Sequence, residues 1–408
     1  MRTAWLACCV VGLTPIAHAQ ELSFSDAVAR AADGPTVEAG LASTRAAERS
    51  VGPASQLPDP ELVLGLENVP IEGPDAYLLD RDFMTMQSVG VMQEMPSGGE
   101  RRARKSAAEA EVSRAEAAVA IARLEARLGA AQAWIGAHYA ERRLFALQSL
   151  EREARASADA LRARLASGGS VDAAIAAEIG AARIADRLGE AQAALIAARG
   201  ELWRWLGEAS ADGVSGDPPD FHIDADSLRA GLQTHPVIAA YQAEQAMTNA
   251  GLSLARAERV PDWSWSLMYQ HRDRDFGDMA SLEVRIGLPL FQSWRQGPLI
   301  DARRADQARV AAERAATERE QQAAFDAGLA QYSAIEASLE RARDTRVPLA
   351  RQRAAAAQGA FAAGTTTASD FISARLEAIE AELDLIDLEE RRAKLGAALS
   401  LPFEESAP

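Results

Sequence analysis

The chain has 408 residues, with 43 basic against 59 acidic side chains and a formal charge of −16. That balance argues against nucleic acid as a partner, because phosphate binding wants a basic surface. Two cysteines, Cys8 and Cys9, low aromatic content and long alanine-rich stretches argue against a disulfide scaffold and against the βαβ rhythm of an α/β enzyme.

Met1-Arg2 opens the chain with positive charge, Trp5 to Leu13 is apolar, and Ala17-His18-Ala19 is a small-x-small cleavage site. The pattern predicts a secretory signal peptide over 1–19, cut before Gln20; the apolar run is too short for a membrane anchor. Cys8 comes too early to carry an N-terminal lipid, and both cysteines leave with the signal, so the exported chain is expected to be thiol-free. Nothing after the signal is apolar for long enough to make a membrane helix, so any membrane crossing must use strands.

A helix near Pro35 fills 20–60, and a β-hairpin is expected over 61–97 from ELVLGLENVP and FMTMQSVGVMQEMP, both alternating with period two around a loop at 71–82. The stretch 98–206 reads as a long helical hairpin. Gly99 to Leu165 holds no proline, enough for a helix of roughly 100 Å. Ile121, Leu124, Leu128 and Ile135, with Ala131 in register, give it coiled-coil spacing. A linker and second helix follow over 207–260, then a second hairpin over 261–291 from DWSWSLMYQHR and MASLEVRIGLPL around a loop at 273–278. A second helical hairpin covers 292–400, where Leu376, Ile379, Leu383 and Ile386 repeat the spacing, and 401–408 is a tail.

The second half therefore repeats the first. Pro35 and Pro60 match Pro236 and Pro261; Leu62, Leu64 and Leu66 match Trp263, Trp265 and Leu267; Pro96 matches Pro289; RLASGGSVDAAI matches AFAAGTTTASDF. Between the strand and helix matches the offset changes by five, which predicts a longer turn in the second copy, around QSWRQGP. The fold class expected is mainly α with a small β-barrel contribution: a duplicated helix–strand–strand–long helical hairpin with four strands per chain. Four strands cannot close a barrel, since the smallest have about eight, so several chains must contribute if one forms. Trp263, Trp265 and Tyr269 suit a membrane interface; a local sheet packed on the helices is the competing explanation.

SGGS (167–170) and GTTT (364–367) are the turns of the two helical hairpins, and Asp172 and Asp370 follow them. These carboxylates read either as helix N-terminal residues offsetting the dipole or as a carboxylate ring at the end of a helical tube. Met84, Met86 and Met92 share one parity and Met95 the other. Thioethers bind Cu(I), but methionine is also a common filler of apolar surface, and that reading is preferred. The four histidines after the signal, His138, His222, His235 and His271, show no paired metal spacing, and no phosphate loop, nucleophile elbow or dinucleotide fingerprint occurs. No enzyme, cofactor or metal site is expected.

The duplicated plan, with GVMQEMPSGGERRARKSAAEAEV, VRIGLPLFQSWRQG and DPELVLGLENVP, resembles the TolC-type outer-membrane efflux channels over essentially the whole exported chain. ENVP and RDFMTMQSVGVMQEMP look most like the heavy-metal branch, of the cobalt–zinc–cadmium or copper–silver type. The resemblance implies a homotrimer whose twelve strands form one outer-membrane barrel on a long periplasmic helical tube. It implies a periplasmic adaptor and an inner-membrane pump as partners, with this chain as a passive gated conduit. It places adaptor docking at Gly168, Gly169, Ser170, Gly364, Thr365 and Thr366, and gating carboxylates near Asp172 and Asp370. A channel for organic drugs or secreted polypeptides, and a soluble periplasmic coiled-coil adaptor, are the other readings.

Overall fold

The computed structural model describes residues 22–79, 81–210, 213–272 and 275–406; the expected signal segment lies outside them. In chain order the elements are α1 (Phe24–Ala31), α2 (Pro35–Ala54), β1 (Glu61–Glu67), β2 (Met86–Met95), α3 (Gly98–Leu165), α4 (Val171–Leu206), α5 (Ala225–Gly231), α6 (Pro236–Ala257), β3 (Trp263–His271), β4 (Met279–Ile286), α7 (Gln296–Arg341), α8 (Val347–Ala362) and α9 (Ala368–Ser400). Helix, strand, strand and helical hairpin thus occur twice. The first copy is α2–β1–β2–α3–α4 and the second is α6–β3–β4–α7–α8–α9.

The two copies differ where local chemistry differs. α3 runs unbroken for 68 residues. Its counterpart is divided by a π-turn at Ala342–Arg346, where the Val347 N–H reaches back to the Ala342 carbonyl. Pro348 is the cause: it has no N–H to give and its ring crowds the carbonyl four residues earlier, so the turn widens. Between strand and helix the first copy has two residues, the second nine. The expected excess was five. It is seven because β2 reaches Met95 beside Pro96, whereas β4 stops at Ile286, before Gly287-Leu288-Pro289.

Two compact units result. One comprises the described residues up to Gly34, Glu125–Ala225 and Ala327–Leu401. Its core centres on Trp134, which is 0% exposed and packs with Phe24, Ile135, Leu202, Ile386 and Ala397. A second cluster joins Leu147, Ile184, Ile379 and Leu383, so the coiled-coil positions Ile379 and Leu383 are core. Around these clusters α9 is laced to its neighbours by ion pairs: Arg142–Glu389 at 2.8 Å, Arg343–Glu389 at 2.6 Å, and Arg143 bridging Asp387 and Glu390. The other unit comprises Pro35–Leu124 and Asp226–Asp326 with the tail. It holds the sheet and buries Val37, Leu252, Ala255, Ile300 and Val310.

Candidate membrane sheet and helix-tip turns

The four strands form one antiparallel sheet in the order β1-β2-β3-β4. The register aligns Leu64 with Val89, Val89 with Tyr269 and Tyr269 with Ala280; two residues along, Leu62, Val91, Leu267 and Leu282 form the next row. Directly paired residues share a face. One face therefore carries Leu62, Leu64, Leu66, Val89, Val91, Trp263, Trp265, Leu267, Tyr269, Leu282, Val284 and Ile286, with the polar Gln87, Gln93 and His271 toward its two ends. It is exposed, with Leu64 and Leu282 each at 71%. The opposite face carries Glu61, Glu67, Ser88, Gly90, Glu94, Ser264, Ser266, Gln270, Ser281 and Glu283. Its polar groups bond one another: the Ser88 hydroxyl donates to Glu67 at 3.1 Å and the Ser281 hydroxyl to Gln270 at 2.9 Å. Apolar outside and polar within is the pattern of a barrel wall, inverted from a soluble sheet. Among the described residues β1 pairs only with β2 and β4 only with β3, so both edges present backbone groups open to further strands.

Aromatic residues occur at both ends of the sheet. Trp263 and Trp265 stand where the strands meet the helices, and in the turn that follows Ile286 Phe291 and Trp294 are exposed, the latter at 84%. Tyr269 stands toward the opposite end, near the loops that hold Tyr77, Phe83 and Phe276. The Phe291–Trp294 group was missed in the sequence; the signal was an aromatic pair inside the extra turn residues. The methionines divide differently from the parity reading. Met84 precedes β2, its N–H held by Asp82 at 2.7 Å, so it belongs to no strand. Met86 and Met92 lie on the polar face, where Met268 and Met279 join them, and Met95 lies on the apolar face.

At the first helical turn, Gly168 takes φ +91°, and the Gly169 N–H donates to the Arg164 carbonyl at 2.9 Å. Ser170 then caps α4, its hydroxyl accepting from the Ala173 N–H at 3.3 Å. At the second, Gly364 takes φ +73° and the Thr365 N–H donates to the Ala360 carbonyl at 2.9 Å. Here the cap is Thr367, one residue later than the Gly168–Gly364 match implies, with Thr366 as the extra residue. Phe361 stacks on Phe371 at 5.7 Å and closes this turn.

Asp172 and Asp370 consequently occupy different positions. Asp172 is the exposed second residue of α4. Asp370 is the third residue of α9 and completes a capping box: its N–H donates to the Thr367 hydroxyl at 3.1 Å, while its carboxylate accepts from the Thr367 and Thr366 hydroxyls at 2.6 and 3.1 Å. Those hydrogen bonds, Thr367 first, hold the Asp370 carboxyl below the usual carboxylate range. A lowered carboxyl pKa stabilises the fold above the unfolded value and ceases to do so as pH falls through the folded one. Asp370→Ala is expected to speed amide exchange across 366–372 at neutral pH. Wild type should lose the same protection only below about pH 4. Exchange corrected for intrinsic rates checks this, and equal protection in both proteins would remove the capping role.

No helix among the described residues is long and apolar enough to cross a membrane. Among them, too, no three His, Cys, Asp or Glu side chains gather as a metal-holding group.

Residues 228–401 match the sequence pattern of the family described as outer membrane efflux protein. No curated protein matches the chain in sequence. Solved structures with the same fold include the Campylobacter jejuni CmeC outer membrane channel, 14% identical with a TM-score of 0.78 over 93% of this chain and 85% of that one. CusC, whose structures follow folding and transmembrane channel formation, is 16% identical with a TM-score of 0.75 over 93% and 91%. The Vibrio cholerae outer membrane protein VceC is 19% identical with a TM-score of 0.73 over 92% and 94%. At these identities the likeness is one of fold, and this chain has two helical hairpins in tandem, where a coiled-coil adaptor would be expected to have one. The family matched is one of transporters and not of enzymes. The chain thus shares the fold of solved outer membrane channels over nearly all its length, and residues 228–401, somewhat under half of it, match the pattern described as outer membrane efflux protein.

Proposed function

We propose that this chain is one subunit of a homotrimeric outer-membrane efflux channel that passively conducts heavy-metal cations. The observation that carries the channel reading is the two-faced sheet with both edges open. A sheet that is apolar outside, polar inside and unclosed has one stable solution in a bilayer, a barrel shared between copies. Four strands from each of three copies make twelve. In this assembly Trp263, Trp265 and Tyr269 sit at the lipid boundaries, as amphipathic rings do. The helical hairpins of 98–206 and 292–400 form the periplasmic tube. Gly168, Gly169, Ser170, Gly364, Thr365 and Thr366 meet a periplasmic adaptor, through which an inner-membrane pump delivers substrate. Asp172 and Asp370 ring the tube's end as gating carboxylates.

Two features support cations as the cargo. The polar face carries Glu61, Glu67, Glu94 and Glu283 with one counter-charge, Arg285, paired to Glu283 at 2.7 Å, and acidic linings favour cations. Met86, Met92, Met268 and Met279 add thioethers to that face, the donor type that suits soft ions. The test is tolerance of a host deleted for this gene, with a metal panel beside a drug panel. Sensitivity to zinc, cadmium, cobalt, copper or silver alone is expected. Sensitivity to drugs alone would keep the channel and move its cargo to organic compounds.

A further inference from the structure

α4 buries one side against α3 and α9, and its core line runs through Ala177, Ile184, Ala191, Leu195 and Leu202. A second line on the same helix is exposed throughout: Ile179, Ala182, Asp186, Gly189, Ala193 and Ile196, spaced 3-4-3-4-3. It is apolar or small apart from Asp186, and Ile196 is 73% exposed. This is the spacing of a coiled-coil seam, and among the described residues no helix covers it. α8 carries a matching exposed line, Leu349, Gln352, Ala356 and Gly359, with Leu349 at 57%.

The glycines give an independent indication. Glycine weakens a helix interior relative to alanine, so a mid-helix glycine needs a packing reason. At Gly180 the reason is internal: an added Cβ would meet Ile372 at 2.9 Å. At Gly189 and Gly359 an added Cβ would meet nothing within 4 Å. Among the described residues nothing requires their smallness, and the same holds for Gly200 further along α4.

α9 fixes the relative heights. Gly180 of α4 abuts Ile372, and Arg187 of α4 pairs with Glu380 at 2.8 Å. On its other side, Glu382 and Glu377 of α9 pair with Arg351 at 2.7 Å and Arg353 at 2.5 Å on α8. Arg187 is therefore level with residues 351–352. α4 runs away from its turn and α8 runs into its own, so the two lines are antiparallel. At equal height Ile179 faces Gly359, Ala182 faces Ala356, Asp186 faces Gln352 and Gly189 faces Leu349. Over these four rows each large apolar side chain meets a glycine and the one charge meets an amide; Ala193 and Ile196 lie beyond the end of the α8 line.

From this we infer that the α4 line of one copy docks antiparallel onto the α8 line of the next copy, with Leu349 seated on Gly189 and Ile179 on Gly359. A rotation axis along the helices keeps equal heights opposite one another, and a contact between two different surfaces forms a ring when that rotation closes. The inference rests on the homo-oligomeric channel reading and adds which helices join and in what register.

Both cysteines fall in residues 1–19, and with Cys8 and Cys9 replaced by serine the engineered pairs report without background. Gly189→Cys with Leu349→Cys, and Ala182→Cys with Ala356→Cys, are expected to give a ladder of covalent oligomers on mild oxidation of whole cells. Ala182→Cys with Leu349→Cys, two turns out of register on the same faces, is expected to remain monomeric on denaturing gels. Co-expression of the two singles Gly189→Cys and Leu349→Cys, differently tagged, should give only the mixed dimer. Intact heat-modifiable oligomers without these cross-links, or cross-linking of the out-of-register pair instead, would overturn the seam and leave the channel. Absence of any oligomer in mild detergent would overturn both.

Discussion

Leu282→Arg is expected to prevent assembly in the outer membrane, whereas Ser281→Arg, its immediate neighbour, is expected to leave assembly intact and change the ion selectivity of the pore. The two residues alternate across β4. Leu282 stands mid-strand in the row with Leu62, Val91 and Leu267, and is 71% exposed; Ser281 points the other way, toward Gln270. An arginine at mid-depth on a lipid-facing barrel wall costs about 2–4 kcal/mol, so three copies carry roughly 6–12 kcal/mol. That is comparable to the whole stability of an ordinary domain. The same side chain in the lumen stays hydrated and adds one positive charge per copy to an acidic lining, which lowers cation preference. Heat-modified migration and outer-membrane fractionation read the first effect, and single-channel reversal potentials read the second. Wild-type assembly of Leu282→Arg would mean that this face does not meet lipid, and would restore the local sheet packed on helices.

The sheet was legible because its signal is binary. Leu62, Leu64 and Leu66 alternate with Glu61, Val63, Gly65 and Glu67, Trp263, Trp265 and Leu267 alternate with Ser264 and Ser266 at the matched positions, and a period of two has one structural meaning. The start of β2 was not legible. FMTM alternates like a strand, but Asp82 captures the Met84 N–H and the Thr85 hydroxyl donates to the Asn68 carbonyl at 3.0 Å. Side-chain hydrogen bonds to local backbone set the boundary there, and alternation does not record them.

The helical turns were half legible. Gly168 and Gly364 were found from the repeat, but matching glycine to glycine gave Asp172 and Asp370 equal standing. The caps are set by hydroxyls, Ser170 and Thr367, and the one-residue difference places only Asp370 in a capping box. The α4 seam was hidden for a different reason. In a helix as alanine-rich as α4, several lines satisfy 3-4 spacing at once. Ala177, Ile184 and Ala191 become core while Ile179, Ala182 and Gly189 stay exposed only because α3 and α9 take the first line. Spacing records that a helix has a seam; which seam the chain itself fills is a property of packing.

Trp134→Ala is expected to cause the largest loss of stability of any single truncation in the unit that contains it, about 3–5 kcal/mol. The indole is fully buried, stacks on His138 at 5.4 Å, and meets Phe24 edge-on at 5.5 Å, with Phe24 in turn against Phe221 at 5.9 Å. Its N–H donates to the Leu22 carbonyl at 2.8 Å, and that carbonyl also accepts from the Ser215 N–H at 3.0 Å. Leu22 bridges Val214, so one ring ties the N-terminal segment and the 213–221 loop to α3. Trp134→Phe keeps an aromatic ring and removes the N–H together with part of the indole's volume. The carbonyl retains Ser215, so this change should cost clearly less than the alanine truncation. Urea unfolding of the two variants separates volume from hydrogen bond, and proteolysis near residues 22–34 should accelerate in the alanine variant before global unfolding does. Equal losses in both variants would mean that the indole N–H, and not the buried ring, fastens the N-terminal segment.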